Sequence, residues 1–430
     1  MWEDNRKKNL VKNIILALLI VVLVIGLAVA MMFVSRKTDE QDSQLSEMQV
    51  QQQQEQSVAR QESLAEIQKE YEKDMQTVAE YLPGIVCWGD SITLGASGSA
   101  SYPFVLQKYI DTYFCDIYDF RSSIENADEF SRLKWDDYKV SVPVVNMGAG
   151  PEDTSTVLGR CGVVPYVTSY DFTIPAGTEP VPVYFTSRDG RAVTPLTGGN
   201  AGVNNVTING IEGVLSIDSN GYSPFGGASY SFARVEAGEE SYVPAGTEIV
   251  TAATDEYRDY IHVVWIGTYG GYDYSPDVLV QQTKELLERQ TKNTDRYIVL
   301  GIYSINGYTA SSYQLDAIDT AMMQAFGNRY VNVRKYLCGD GMADAGFSKT
   351  QQDLQSISNN AVPPSFLTAS TSIELNGTAQ KLIGKLVFNR MESLGYFDEV
   401  YSELNITETT KLILKEDPSY FTNIIKNSIK

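Results

Sequence analysis

The chain is poor in histidine, in cysteine and in basic residues, and each shortage excludes a class of function. Its 430 residues include one histidine, His262, which excludes a histidine pair or a histidine-rich metal site. Four cysteines are too few for a scaffold built from disulfides. With 34 Lys and Arg against 54 Asp and Glu, the net charge is −20. Because no basic stripe is available to meet phosphates, we expect no nucleic-acid partner.

Sequence motifs for cofactors are also missing. The chain has no phosphate-binding loop, no dinucleotide fingerprint and no spacing typical of metal ligands, so we expect neither a cofactor nor a metal. It does have 43% hydrophobic and 11% aromatic residues, which is enough for a large folded core. Its length predicts about two or three domains.

An apolar run near the N-terminus predicts a membrane anchor. Residues 14–34 are 21 residues without a charge, about 30 Å as a helix, which matches the hydrocarbon core of a bilayer. The excess of basic residues before the run places residues 1–13 in the cytoplasm and the rest of the chain outside the cell. The predicted location is the cell membrane, with a single pass. A cleaved signal peptide is the alternative, with Ala28-Val29-Ala30 as its cleavage site.

Residues 35–82 predict a helical stalk. Residues 38–81 contain no glycine or proline, and Pro83 ends the segment. Its second half has apolar residues at steps of three or four: Leu64, Ile67, Tyr71, Met75, Val78 and Leu82. One interpretation is a coiled-coil spacer that makes the protein a homo-oligomer. The other is a helix that packs on its own domain or is a solvated tether.

A predicted strand followed by a serine-bearing turn comes next. Residues 84–88 predict a buried strand, and Gly89-Asp90-Ser91 follows directly. Glycine permits a tight turn at the carboxyl end of the strand, where open α/β sheets place their sites. Ser91 would then lie at the sheet edge beside backbone N–H groups, as an exposed nucleophile does. A second predicted strand, residues 142–145, leads into Asn146-Met147-Gly148.

With these two blocks the chain resembles the SGNH/GDSL hydrolase family, serine esterases and acylhydrolases. The resemblance implies a three-layer α/β/α domain with a parallel sheet, formed by residues 83–163 and 255–397. It also implies that Ser91 is the nucleophile and that Gly148 gives its N–H to an oxyanion. Leu375-Asn376-Gly377, before an amphipathic helix, resembles the closing block of the family. Residues 398–430 would form a helical tail.

The chain departs from the family pattern at three catalytic positions. Tyr269 stands where the family has its oxyanion-hole asparagine, Glu374 stands at the histidine and Thr371 at the aspartate. Loss of one oxyanion donor typically costs about 2.7–4 kcal/mol in the transition state. We predict Tyr269 and Asn376 as binding residues. His262 lies near the start of its predicted strand, far from the catalytic edge, and is predicted to be a packed or rim histidine.

Glu374 as a catalytic base for Ser91 is the alternative at this site. A carboxylate is a weaker base than imidazole at neutral pH, and a glutamate base would need an acidic partner to share its proton. Thr371 cannot provide one. Removing the base of a serine–histidine pair costs about a millionfold in subtilisin.

Residues 164–254 predict an inserted all-β module. Short alternating segments are separated by glycine and asparagine, as at Asn209-Gly210 and Asn220-Gly221. A similar pattern occurs at residues 174–178 (Ile-Pro-Ala-Gly-Thr) and 243–247 (Val-Pro-Ala-Gly-Thr), which suggests two related units. The module is expected beside the carboxyl edge of the sheet.

Three hypotheses for function follow. In the first, a catalytically degenerate SGNH-fold protein binds an acylated carbohydrate or another cell-envelope ligand outside the membrane without hydrolysing it. In the second, the chain is an active esterase that deacylates a carbohydrate with Ser91 and Glu374. In the third, it is an assembly protein that acts through its stalk. The first is favoured because three catalytic positions depart together while the fold-building glycines and strands remain.

Overall fold

The structure is a computed structural model. It describes residues 2–95, 101–110, 114, 142–150, 152–196, 203, 205–222, 228–291, 295–305 and 312–406. The chain forms two compact units, Met1–Glu70 and Tyr71–Lys430.

Helices and strands alternate outside the inserted segment, whereas the inserted segment consists mainly of strands. The strands are β1 (Ile85–Gly89), β2 (Val144–Gly148), β3 (Tyr166–Thr168), β4 (Phe172–Ile174), β5 (Val181–Val183), β6 (Phe185–Ser187), β7 (Asn205–Ile208), β8 (Ile211–Tyr222), β9 (Ala228–Arg234), β10 (Ser241–Val243), β11 (Glu248–Thr251), β12 (Ile261–Trp265), β13 (Tyr297–Leu300) and β14 (Tyr330–Val331). The α-helices are α1 (Trp2–Tyr81), α2 (Ser91–Leu94), α3 (102–110), α4 (Thr154–Arg160), α5 (Ala253–Glu256), α6 (Pro276–Gln290), α7 (Ser312–Phe326), α8 (Val333–Cys338), α9 (Asp340–Asp344), α10 (Gln351–Ser358), α11 (Gly377–Ser393) and α12 (Asp398–Glu403). Single 3₁₀ turns occur at Gly327–Arg329 and Pro364–Phe366.

The first unit lies within α1, and its apolar run is exposed. The most apolar 18-residue window has a mean hydropathy of 3.4, and none of it is buried. A helix of this length and composition can cross a membrane, which is consistent with an anchor or a signal sequence.

The last turns of α1 belong to the second unit and enter its core. Met75, Val78 and Leu82 are buried there, Val78 completely. This part of the predicted stalk therefore packs on its own domain, and Pro83 then separates α1 from β1. A coiled coil formed by the preceding residues stays a prediction.

The centre of the second unit is a five-stranded parallel sheet in the order β14–β13–β12–β1–β2. All residues of β1 and β12 are buried, as expected for strands covered on both faces. Gly89 at the end of β1 pairs with Trp265 on one side and with Gly148 on the other. The chain moves from β1 to β2 on one side and later crosses to β12 on the other. The loops after β1 and β12 therefore diverge at the carboxyl edge, where such sheets bind ligands.

Strand and helix limits follow the sequence closely in this sheet domain. Ser275-Pro276-Asp277 is a sequence typical of a helix start, and Ser275 caps α6, with its hydroxyl accepting a hydrogen bond from the Val278 N–H at 3.4 Å. The strand predicted at residues 142–145 is β2, which begins two residues later and ends three residues later. β14 contains only Tyr330 and Val331, because Asn332 caps α8 and turns the chain into a helix.

The inserted segment is an antiparallel β module, as predicted. Seven strands form a nearly closed barrel in the order β5–β9–β8–β7–β11–β3–β6. Its core is aromatic and aliphatic and includes Tyr166, Phe185, Tyr230 and Phe232. β4 and β10, which end at the first residue of each copy of the repeated pattern, pair with each other in a separate two-stranded ribbon.

The C-terminal tail is described as far as residue 406. It contains α12, whose Val400 and Tyr401 are buried. The part of the predicted helical tail from residue 407 onward lies outside the described residues.

Candidate functional site

Ser91 lies directly after the carboxyl end of β1. It is the first residue of α2, and Oδ1 of the preceding Asp90 accepts a hydrogen bond from the Ile92 N–H at 2.8 Å. This cap fixes the turn that presents Ser91 at the sheet edge. The placement agrees with the motif-based prediction for Gly89-Asp90-Ser91.

Three predicted site residues meet at this edge. The Ser91 hydroxyl donates a hydrogen bond to Oε1 of Glu374, and the Tyr269 hydroxyl donates to the same oxygen at 2.6 Å. The Ser91 and Tyr269 hydroxyl oxygens lie 2.9 Å apart. The one proton of Ser91 can go to Oε1 of Glu374 or to the Tyr269 hydroxyl oxygen, while the proton of Tyr269 goes to Oε1. We call Ser91, Tyr269 and Glu374 the hydroxyl–carboxylate cluster.

The loop after β12 brings Tyr269 into the cluster. Gly267 and Gly270 on either side have φ values of 106° and 88°, which permit a tight bend that other residues rarely adopt. The length of the phenol ring lets the hydroxyl reach Ser91. Burial and the hydrogen bond to Glu374 raise the pKa of Tyr269 above its usual range, so it stays a proton donor.

Glu374 enters the cluster from the segment before α11. Its second oxygen, Oε2, is buried, and it has no hydrogen-bond partner among the described residues. Thr371, at the position of the family's aspartate, is exposed, and no hydrogen bond joins its side chain to Glu374 among the described residues. The carboxylate therefore has two hydroxyl donors on one oxygen and no acidic partner within the described part of the chain.

The glycines after β2 are arranged differently from the prediction. The Gly148 N–H donates to the side chain of Asn146 at 2.9 Å, so this donor is already engaged. Gly150 is the glycine that borders Ser91, since a Cβ at Gly150 would lie 2.0 Å from that of Ser91. Sequence reasoning missed Gly150. The available signal was the second glycine of Asn-Met-Gly-Ala-Gly, where a close approach to the serine requires the absence of a side chain.

Asn376 caps α11 and takes no part in the cluster. Its Oδ1 accepts hydrogen bonds from the N–H groups of Thr378 and Ala379, both at 3.1 Å. Its Nδ2 donates to the carbonyls of Ser365 and Leu367. The amide has no hydrogen-bonding capacity left for a ligand, so the side chain predicted to bind acts as a helix cap.

A buried ion pair that sequence reasoning missed holds the strand ends below the cluster. Arg160 donates to Glu152 at 2.7 Å, to the Met147 carbonyl at 2.8 Å and to the Gly89 carbonyl at 2.9 Å. Both charged side chains are fully buried. Arg160 thus joins the carboxyl ends of β1 and β2 to α4. Burial raises the pKa of Glu152 to about 7, with Arg160 opposing the shift.

Asp90 adds a further buried carboxyl group beside Ser91. Burial raises the pKa of Asp90 to about 8, and the negative charges of Glu374 and Glu152 add to the shift. Burial therefore favours the protonated form of the Asp90 carboxyl group.

His262 is far from the cluster. It pairs with Val86, three residues before the end of β1, and its Nδ1 accepts a hydrogen bond from Trp88 at 3.1 Å. Burial lowers the pKa of His262 to about 4, so the ring is neutral. The prediction of a packed histidine is confirmed.

A cleft of about 100 Å³ lies beside the cluster, between the loop after β12 and the end of β13. The ring of Tyr269 lines it together with Tyr272, Tyr274 and Tyr303. Ile373, the residue before Glu374, forms another part of the wall. The cleft and the cluster therefore share two segments of the chain.

Metal ligands and paired cysteines do not occur in the described part of the chain. It contains no group of three or more His, Cys, Asp or Glu side chains that could hold a metal ion. Cys87, Cys161 and Cys338 are free thiols. Cys115 lies outside the described residues.

Comparison of the chain with protein-family models, with curated proteins and with solved structures found no match. The resemblance to the SGNH/GDSL hydrolases therefore depends on the sequence blocks around Ser91, Gly148 and Asn376.

Proposed function

We propose that the chain is a membrane-anchored, SGNH/GDSL-type protein that binds an acylated carbohydrate or a related cell-envelope ligand without hydrolysing it. The observation that carries the proposal is the single carboxylate oxygen of Glu374 that accepts hydrogen bonds from both Ser91 and Tyr269. The sheet order and the position of Ser91 after β1 support the three-layer fold of that family.

Three features favour binding over turnover. The Tyr269 hydroxyl donates to the same Glu374 oxygen that Ser91 contacts, so this oxygen is not free to serve Ser91 alone. The Gly148 N–H is engaged by Asn146 and does not serve an oxyanion. The one imidazole of the chain is His262, buried at the other end of its strand.

The apolar run at residues 14–34 supports a single-pass anchor with the second unit outside the cell. The remainder of the first unit would then be a stalk, through which the chain forms a homo-oligomer. Sedimentation of the full chain in detergent tests this point, and a monomer would contradict it.

A working esterase is the second candidate, and one observation favours it. The Ser91 hydroxyl donates directly to a carboxylate, which is the contact that a nucleophile makes with a general base. In this candidate Glu374 takes the proton as Ser91 attacks the ester carbonyl.

The deciding experiment measures hydrolysis and binding on the same full-length protein in detergent. A panel of acyl esters is assayed from pH 4 to 8 with Ser91→Ala as the control, and binding of the same esters is followed by calorimetry. We expect binding without Ser91-dependent turnover. Hydrolysis that Ser91→Ala abolishes would overturn the proposal in favour of the esterase.

A variant designed to restore hydrolysis complements this experiment, because it predicts a gain of activity. Tyr269→Asn, Thr371→Asp and Glu374→His together return the family pattern at all three departing positions. We expect measurable ester turnover from this triple variant, and its loss when Ser91→Ala is added. Because these groups act as a unit, each single change alone should restore little.

A further inference from the structure

The loop that carries Tyr269 has little conformational preference of its own. Gly267, Gly270 and Gly271 have φ values of 106°, 88° and 84°, all in the left-handed region. Glycine adopts this region without steric cost, but it also loses more conformational freedom on folding than any other residue. The loop therefore depends on contacts with other segments to keep one conformation.

The N-terminus of α4 supplies such contacts directly after Tyr269. Thr154 is the first residue of α4; its N–H donates to the Gly270 carbonyl at 3.2 Å and its hydroxyl to the Gly271 carbonyl at 2.7 Å. The first N–H groups of a helix have no acceptor within the helix, so this donor is available to the loop. Since Thr154 is fully buried, movement of the loop would leave its hydroxyl without a partner, which is costly.

Another donor comes from α6. Nε2 of Gln282 donates to the same Gly271 carbonyl at 2.8 Å. Gly271 lies so close to α4 that a Cβ at this position would be 2.4 Å from Oγ1 of Thr154, closer than real atoms approach. The contact therefore requires a residue without a side chain. We call the donor groups of Thr154 and Gln282 the carbonyl clamp.

Tyr269 connects the carbonyl clamp to the hydroxyl–carboxylate cluster. Its backbone directly precedes the two carbonyls that the clamp holds, and its hydroxyl donates to Glu374 at 2.6 Å. Because the hydroxyl lies at the far end of a rigid ring, a small rotation of the loop moves it further than it moves the backbone. A hydrogen bond weakens steeply when its geometry is disturbed. The contact with Glu374 therefore depends on how firmly the two residues after Tyr269 are held.

We infer that Thr154 is a positioning residue, which together with Gln282 holds the Tyr269 hydroxyl on Glu374 and beside Ser91. It acts through the carbonyls of the loop. This inference goes beyond the proposed function and does not depend on it, because it applies whether the cluster binds an ester or hydrolyses one.

The test follows Tyr269 itself by fluorine NMR. The full-length protein in detergent carries 3-fluorotyrosine in place of Tyr269 and at no other position. Glu374→Ala in this labelled protein gives the signal of a hydroxyl that has lost its carboxylate acceptor. Thr154→Val keeps the side-chain shape and removes the hydroxyl, so we expect it to move the signal toward that position. Thr154→Ser keeps the hydroxyl and should leave the signal in place.

Thr283→Val is the matched control. Thr283 is also fully buried, and its hydroxyl donates to the Leu279 carbonyl within α6 at 2.8 Å. The control removes the same kind of hydrogen bond without touching the loop, so the signal should not change. Gln282→Leu removes the other donor of the clamp at a half-buried position and should move the signal in the same direction as Thr154→Val.

The inference is supported by a shift in Thr154→Val that neither Thr154→Ser nor Thr283→Val produces. An unchanged signal in Thr154→Val would overturn it. An equal shift in Thr154→Ser or in Thr283→Val would also overturn it, since the cause would then be a general loosening of the domain. If Thr154→Val does not fold, Gln282→Leu decides, and an unchanged signal in that variant refutes the inference.

Discussion

Replacing Arg160 by methionine should destabilise the second unit strongly and in a pH-dependent way. The variant removes the hydrogen bonds to Glu152 and to the carbonyls of Gly89 and Met147. Removing one partner of a buried ion pair typically costs about 3–5 kcal/mol. We therefore expect a loss of about 4 kcal/mol in the free energy of unfolding at pH 8.

The pH dependence follows from Glu152. Its pKa is about 7 in the folded protein, against a reference value of 4.5. Between these values the folded state retains a proton that the unfolded chain releases, so stability falls as pH rises toward 7 and then levels off. Arg160 holds this pKa down, so in Arg160→Met it rises further and the decline continues above pH 7. The stability deficit of the variant should therefore be larger at pH 8 than at pH 5.

Urea unfolding of the full chain in detergent, followed by tryptophan fluorescence, measures this deficit, since Trp88 and Trp265 lie in the parallel sheet. The matched control is the double variant Arg160→Met, Glu152→Gln, which lacks the titrating carboxyl group. Its deficit relative to Glu152→Gln alone should be the same at pH 5 and pH 8. Equal deficits of Arg160→Met itself at the two pH values would refute the reasoning.

Three further predictions concern other parts of the molecule. The imidazole signals of His262 in proton NMR should not titrate between pH 5 and 8, because its pKa is about 4; a midpoint near 6.5 would contradict its buried environment. Val78→Ala at the packed end of α1 should cost about 2 kcal/mol in urea unfolding, while Val58→Ala, exposed on the same helix, should cost almost nothing. Protease added to intact cells should remove the second unit, and protection until the membrane is permeabilised would reverse the proposed topology.

Local sequence signals predicted the frame of the site well. Gly89 after an apolar strand placed Ser91 at the carboxyl edge, and Ser275 before Pro276 located the start of α6. Both signals operate over a few residues, through backbone freedom and capping. The order of the blocks around Ser91 and Glu374 also predicted their meeting across 283 positions of sequence.

What the sequence did not reveal depends on contacts between distant segments. In the sequence, Tyr269 indicates only that the asparagine expected at this position is missing. In the structure, the length of its side chain and the bend at Gly267 bring its hydroxyl to Glu374. In the sequence Arg160 and Glu152 look like ordinary exposed charged residues, but in the fold both are buried. A pattern of residue types also does not predict which N–H group will donate to an asparagine side chain. Here the Gly148 N–H donates to Asn146.

The neighbouring positions of β3 and β11 have a consequence for how this architecture arises. β3 and β11 are the first and the last strand of the seven-stranded sheet along the chain, and they pair directly, with Ile249 opposite Tyr166. The backbone therefore leaves the parallel-sheet domain and returns to it at points about 5 Å apart. An insertion with such closely spaced ends can be gained, lost or exchanged in one genetic event while all five parallel strands keep their order. The module can therefore evolve independently of the parallel-sheet domain. Its two junctions are suitable positions for inserting a foreign domain.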